Sequence, residues 1–352
     1  MSNPKSWQGN YFEDFALGMR FPCAVPRRVG EGDISLYIAL TGDRTPAFCG
    51  PLGVVHPLFT FHLVLGQTVR QVSLNARANL GYAGMRWGAP LRLGDTLTSA
   101  VEVVGLKENS NRQTGIVYVR TVARNQRSEE VLSYWRWVMV KKRGADPTPA
   151  LDNPTVPSLP DHVDPASLQE PAFEPLSAAA TGAVWAWEDY EVGERVVHHD
   201  GQTINASDHM AFTRLFQNSA KVHFDELLTE GKPLVYGGVP VSYGYGAAYT
   251  GFENRGGIAG INAGSHANPV HTGDTVYALT EVLDAVAPRH GSPWGALRLR
   301  LVVVKNERPE TLESFAVEVQ DDRGRSRHHP SVALDLDYWE WMPTREAIER
   351  AG

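Results

Sequence analysis

GAPLRLGDTLTSAVEVV (88–104) returns later in the chain as ANPVHTGDTVYALTEVL (267–283), with Gly94 matched to Gly273 at an offset of 179. Working outward, YFEDFALGMRF (11–21) is echoed by WEDYEVGERVV (187–197), which sets Gly18 against Gly193 at an offset of 175. The same offset pairs Asp33 with Asp208, Asp43 with Asn218 and Phe48 with His223. Three matches in one order, separated by a four-residue insertion, mark a duplicated domain. The length agrees, since 352 residues suffice for two units that each bury a core.

Between the copies, residues 144–175 carry Pro147, Pro149, Pro154, Pro157, Pro160, Pro165, Pro171 and Pro175. Such density excludes a regular helix or a central strand. Residues 146–183 therefore read as an extended linker between an N-terminal unit (1–145) and a C-terminal unit (184–352). Such a segment either packs as a strap or trails as a tether.

Each copy shows the same order of elements. A short helix comes first, at 32–41 or 206–216, opened by Asp33 or by Ser207 and Asp208. An apolar helix follows, 57–70 in the first copy, with Pro57 suited to its first turn. Alternating strands come next. In GIVYVRTVAR (115–124), Val117, Val119 and Thr121 share a face; in ALRLRLVVV (296–304), Leu297, Leu299, Leu301 and Val303 oppose Arg298 and Arg300. SYWRWVMVKKR (133–143) and LDLDYWEWM (334–342) close the two halves as long strands. One helix followed by a run of strands implies an α+β unit, an antiparallel sheet wrapped on a helix.

Composition narrows the function. Lys plus Arg number 33 against 40 Asp plus Glu, a net charge of −7 with no basic run, so nucleic acid is not an expected partner. No apolar run approaches the roughly 20 residues of a membrane helix. The opening MSNPKSWQGNYFEDF lacks the apolar core of an export signal, and Cys23 and Cys49 are too few for a disulfide framework, so a reducing, cytoplasmic setting is expected. The usual nucleotide, zinc-protease, serine-hydrolase and dinucleotide signatures are absent. His198–His199 and His328–His329 read as solvated strand ends and not as metal ligands, because neighbours on a strand face opposite ways.

LFQNSAKVHFDE (215–226) places His223 just beyond a helix and five residues after Asn218. With the two GDT turns, this stretch resembles the type 2 enoyl-CoA hydratases of the MaoC-like hot-dog family, whose T-G-D-x-N-P-x-H pattern supplies an aspartate and a histidine that activate water. The resemblance covers nearly the whole chain. It implies a tandem hot-dog fold, an acyl-CoA substrate, no cofactor beyond the coenzyme A of that substrate, and homo-oligomers of double hot-dog units. SLNARANLGYAGMRWGAP (73–90), TGIVYV (114–119), YWRWVMVKKR (134–143), QNSAKVHF (217–224) and LVYGG (234–238) are similar to the mesaconyl-CoA hydratase branch, which reversibly adds water to a branched C4 dicarboxylic acyl-CoA.

The copies divide the motif. The first keeps Asp43 but has Phe48 at the histidine position, and phenylalanine moves no proton. The second keeps His223 but has Asn218 at the aspartate position. In the family, a glycine N–H at the start of the long helix binds the thioester oxygen. LVYGGVPVS (234–242) supplies Gly237 where the first copy has Pro57, which has no N–H. One active site on the second repeat is expected. His223 would exchange protons, Asn218 hold the water and Gly237 bind the thioester oxygen, with Gly238 and Tyr236 beside it. Lys221, standing at the motif proline, is the expected partner of the substrate carboxylate, with Arg214 next in line. The competing readings are an R-specific hydratase of ordinary enoyl-CoA, a non-catalytic acyl-CoA-binding protein and a hot-dog thioesterase.

Overall fold

The structure is a computed structural model describing residues 5–49, 54–146 and 155–352. Residues 147–154, part of the expected linker, and 50–53 and 1–4 lie outside the described residues. The first copy contributes strands β1 (Arg20–Arg28), β2 (Ala76–Trp87), β3 (Thr96–Glu108), β4 (Thr114–Arg124) and β5 (Glu130–Lys141). The second contributes β6 (Arg195–Thr203), β7 (Gly257–His266), β8 (Thr275–Val286) and β9 (Trp294–Lys305). A small hairpin, β10 (Glu318–Gln320) and β11 (Ser326–His328), then precedes β12 (Val332–Pro343). Ten of these strands form one sheet in the order β1-β3-β4-β5-β2-β7-β12-β9-β8-β6. The order reads the same from either end when the copies are exchanged, so the duplication is a pseudo-twofold of the sheet. The copies meet where β2 pairs antiparallel with β7, from Gly81 opposite Ser265 to Arg86 opposite Gly260.

The helices are α1 (Glu31–Thr41), α2 (Pro46–Cys49), α3 (Pro57–Thr68), α4 (Ala178–Thr181), α5 (Ala206–Leu215), α6 (Gly238–Ala247) and α7 (Arg345–Arg350). PLFTFHLVLGQT is apolar on all sides, so α3 is stable only when surrounded, and nearly all its residues are buried. It starts at Pro57, with the His56 ring accepting from the Leu58 N–H, and ends at Thr68, sooner than the expected 70, where a π turn (Val69–Ser73) takes over. Its counterpart α6 is likewise buried. His62 Nε2 of α3 and the Ser242 hydroxyl of α6 lie 2.8 Å apart, joining the central helices of the two halves. Each half is a sheet wrapped on a helix, and together they make the tandem hot-dog.

Two sequence readings change in three dimensions. Val302 and Val304, on the outward side of β9, are buried because the 306–331 segment covers them with Leu312 and Val317. Arg298 and Arg300 on that side pair with Asp337 and Asp335 of β12 at 2.6 and 2.7 Å. The paired histidines are not all solvated strand ends. His198 is buried, with Nδ1 3.0 Å from the Thr250 carbonyl and Nε2 2.8 Å from the Thr280 hydroxyl, while His199 is exposed. His328 Nε2 lies 3.0 Å from Asp335.

From Thr155 onward the proline-rich segment runs over the outer face of the sheet. It has few backbone partners of its own, so side chains beneath supply them. Trp339 Nε1 donates to the Val163 carbonyl (3.0 Å), Trp341 Nε1 to the Gln169 carbonyl (2.8 Å), and the Val163 N–H donates to Asn262 Oδ1 (2.8 Å). Val163 and Leu168 are buried against Trp294, Trp339 and Trp341. Among the described residues no helix is long and apolar enough to cross a membrane.

Candidate active site

A cavity of about 570 Å³ lies between the copies. His223, Asn218, Tyr236, Gly237, Gly238 and His266 of the second repeat line it together with Arg77, Asn79, Tyr82 and Arg136 of the first. The site is thus shared, and the packing shows why. A Cβ on Gly66 of α3 would stand 1.8 Å from the Phe216 carbonyl oxygen. Only glycine lets the first repeat's helix seat the 216–218 turn that carries Asn218. Gly246 of α6 does the same for the Thr41–Asp43 turn.

His223 ends a 3-10 turn (Lys221–His223) and is buried. Its Nδ1 lies 2.8 Å from the Leu234 carbonyl, an acceptor, so Nδ1 carries the proton and Nε2 is left with a free lone pair. Burial lowers its pKa to about 4, against a smaller opposing effect of the Leu234 bond. A neutral imidazole is therefore in place at neutral pH. Asn218 Oδ1 accepts from the Ala220 N–H (3.1 Å), which turns the amide NH₂ into the available donor. The Tyr236 ring lies 5.7 Å from that of His223, and its hydroxyl lies 3.2 Å from His62 Nδ1.

Gly237 caps α6, and neither its N–H nor that of Gly238 has a partner among the described residues. These are orphan donors at a helix N-terminus, where the dipole favours negative charge. The glycine is needed here for proximity, since a Cβ on Gly237 would meet the His266 ring at 2.6 Å. Lys221 and Arg214 fall outside the cavity lining and are exposed, Arg214 lying over the Phe224 ring at 5.7 Å. A 3-10 turn has three residues per revolution, so with His223 pointing inward, Lys221 two residues earlier points away.

Sequence reasoning missed His266, Tyr82 and Arg136. The repeat carried a signal for the first, since the offset of 179 aligns His266 with Trp87. Its imidazole is also held near pKa 4 by burial. For Arg136 the signal was a charge at an inward position of a strand, between Tyr134 and Val138.

The first copy is closed. Phe48 is buried with its ring 4.5 Å from that of His56, and its Cζ would meet a Cβ on Gly257 at 2.8 Å. Trp87 Nε1 donates to the Pro57 carbonyl (3.1 Å). Asp43 is no mere turn carboxylate. It accepts from Arg255 Nη2 of the other repeat (3.0 Å) and from the Thr45 N–H and hydroxyl, and lies 2.9 Å from His56 Nε2. Burial alone would raise its pKa, but the Arg255 charge and the bonds from His56 and Thr45 outweigh this and hold it below the carboxylate range.

The buried histidines imply an acid-sensitive fold. His198, His209, His223 and His266 are each lowered by burial to about 4. As pH falls below the unfolded value of about 6.5, the unfolded chain binds protons that these sites refuse, so stability declines between roughly pH 6.5 and 4. Glu340, raised by burial to about 8, acts in the opposite sense, one group against these four and the likewise lowered His56 and His62. Calorimetry should show Tm falling from pH 7 to pH 5; a constant or rising Tm would contradict this protonation pattern.

The profile of the mesaconyl-CoA hydratase family matches residues 5–311. A mesaconyl-CoA hydratase of Cereibacter sphaeroides is 45% identical over 353 residues, covering 96% of this chain and 99% of that protein. A beta-methylmalyl-CoA dehydratase of Chloroflexus aurantiacus is 43% identical, over 97% and 99% of the two chains. The crystal structure of a MaoC domain protein dehydratase from Chloroflexus aurantiacus superposes with a TM-score of 0.89 at 40% identity, covering 97% of this chain and 99% of that one.

Proposed function

Because the chain belongs to the mesaconyl-CoA hydratase family, we propose that it is a hydro-lyase that reversibly adds water to 2-methylfumaryl-CoA (mesaconyl-C1-CoA) to give β-methylmalyl-CoA. The observation that carries this reading is the convergence, in one cavity, of a neutral imidazole and a pair of unpartnered helix N–H groups. Hydration of an enoyl thioester needs both. A base takes a proton from water as its oxygen bonds to the β-carbon, and the double-bond electrons move toward the thioester oxygen. An acid then delivers a proton to the α-carbon.

His223 Nε2 fills the proton-transfer role, a contribution typically worth 10²–10⁴-fold. The Asn218 NH₂ donates to the attacking water and holds it. The Gly237 and Gly238 N–H groups at the N-terminus of α6 receive the developing enolate oxygen. No redox or metal chemistry enters these steps. Arg77, a cation exposed on the cavity lining, would meet the coenzyme A phosphates.

The test is spectrophotometric. Incubation with mesaconyl-CoA should remove the enoyl thioester absorbance without releasing a free thiol, and β-methylmalyl-CoA should restore it. Thiol release would assign a thioesterase, and binding with no spectral change a non-catalytic acyl-CoA carrier. Faster turnover of crotonyl-CoA than of mesaconyl-CoA would assign an ordinary enoyl-CoA hydratase.

A further inference from the structure

Arg136 projects inward from β5 and lines the cavity with 1% of its surface exposed. Its Nη2 donates to the Thr68 hydroxyl (2.9 Å), its Nε has no partner, and no carboxylate among the described residues pairs with it. An arginine does not shed its charge, and a buried cation without a counter-charge is costly. Directly opposite on β2 stands Tyr82, whose buried hydroxyl also lacks a partner and which lines the same cavity.

The other copy shows the equivalent place when the chain satisfies itself. β12 occupies in the second half of the sheet the position of β5 in the first, and its Trp339-Glu340-Trp341 matches Trp135-Arg136-Trp137. Glu340 there accepts from the Tyr245 hydroxyl (2.9 Å) and faces the buried Arg255, which is paired with Asp43. That network balances its cation from within, and Phe48 packs against it. Around His223 the space is open and the guanidinium is unanswered.

We propose that Arg136, with the Tyr82 hydroxyl, binds the free carboxylate of a C4 dicarboxylic acyl-CoA and selects it over monocarboxylic thioesters. The proposal deepens the hydratase reading above and takes its substrate class from it. In mesaconyl-C1-CoA the carboxylate stands on the β-carbon, so a two-donor grip there fixes the carbon that water attacks. Exposed Lys221 and Arg214 do not fill this role.

Saturated thioesters separate binding from catalysis. Succinyl-CoA carries a carboxylate where butyryl-CoA carries a methyl group, and neither can be hydrated. Calorimetric titration of the intact protein should show tighter binding of succinyl-CoA. Arg136→Met should weaken succinyl-CoA by about 10²–10³-fold and butyryl-CoA by only a few-fold, and should not lower Tm, since it removes an uncompensated charge. Arg136→Lys, which keeps the charge but loses the fork, should fall between, and it carries the same comparison if Arg136→Met does not fold. Equal weakening of both ligands, or a wild-type protein without the preference, would overturn the proposal. If the preference tracks Arg136 but mesaconyl-CoA is not hydrated, the hydratase reading fails and the carboxylate site stands. If mesaconyl-CoA is hydrated and the preference survives in both variants, the carboxylate site alone fails.

Discussion

His223→Ala should lower turnover of mesaconyl-CoA by about 10²–10⁴-fold, because it removes the imidazole to which the proton transfers are assigned. The size of the loss reflects the arrangement. Nδ1 is committed to the Leu234 carbonyl, so Nε2 is the base, and Asn218 cannot replace it because an amide does not deprotonate water. The variant loses one hydrogen bond to a carbonyl, so its Tm should stay close to that of the wild type. In the wild type, kcat/KM should hold through neutral pH and fall as pH approaches about 4, where His223 takes up the proton it must leave vacant. Comparable turnover in a variant of matching Tm would remove His223 from the mechanism.

Asp43→Asn should act on stability. It leaves Arg255, 1% exposed at its side chain, without its paired carboxylate. Breaking a buried pair from one side costs about 3–5 kcal/mol, which urea denaturation should register. At temperatures where the variant is folded, turnover should stay within roughly tenfold of wild type, because Phe48 stands at the motif histidine position and packs over His56, whose two ring nitrogens are engaged by Asp43 and the Leu58 N–H, and Pro57 offers no N–H at the helix start. A catalytic loss as deep as that of His223→Ala, with unchanged stability, would place Asp43 in the catalytic centre.

The matched GDT turns, the two-residue alternation of the strands, the apolar run from Pro57 and the nearly constant offset between copies were enough to read the duplication, the antiparallel strands and the buried α3. These are local patterns, and repetition makes each copy a check on the other. The unequal division of the motif was legible for the same reason: Phe48 against His223 and Pro57 against Gly237 are differences of chemistry at aligned positions. Which side chains reach one cavity was decided only by tertiary structure. The site joins the 216–218 turn, the Lys221–His223 turn and α6 of one repeat to β2 and β5 of the other, across the β2–β7 seam. Residues separated by that seam carry no common period or spacing. Lys221, adjacent to the motif in sequence, is turned away by the 3-10 geometry that turns His223 inward, while Arg136, far from it in sequence, is brought in by strand pairing with Tyr82. Asp43 shows the same limit. Its sequence marks a turn carboxylate, and only the fold supplies Arg255 from the other copy and makes it half of a buried ion pair.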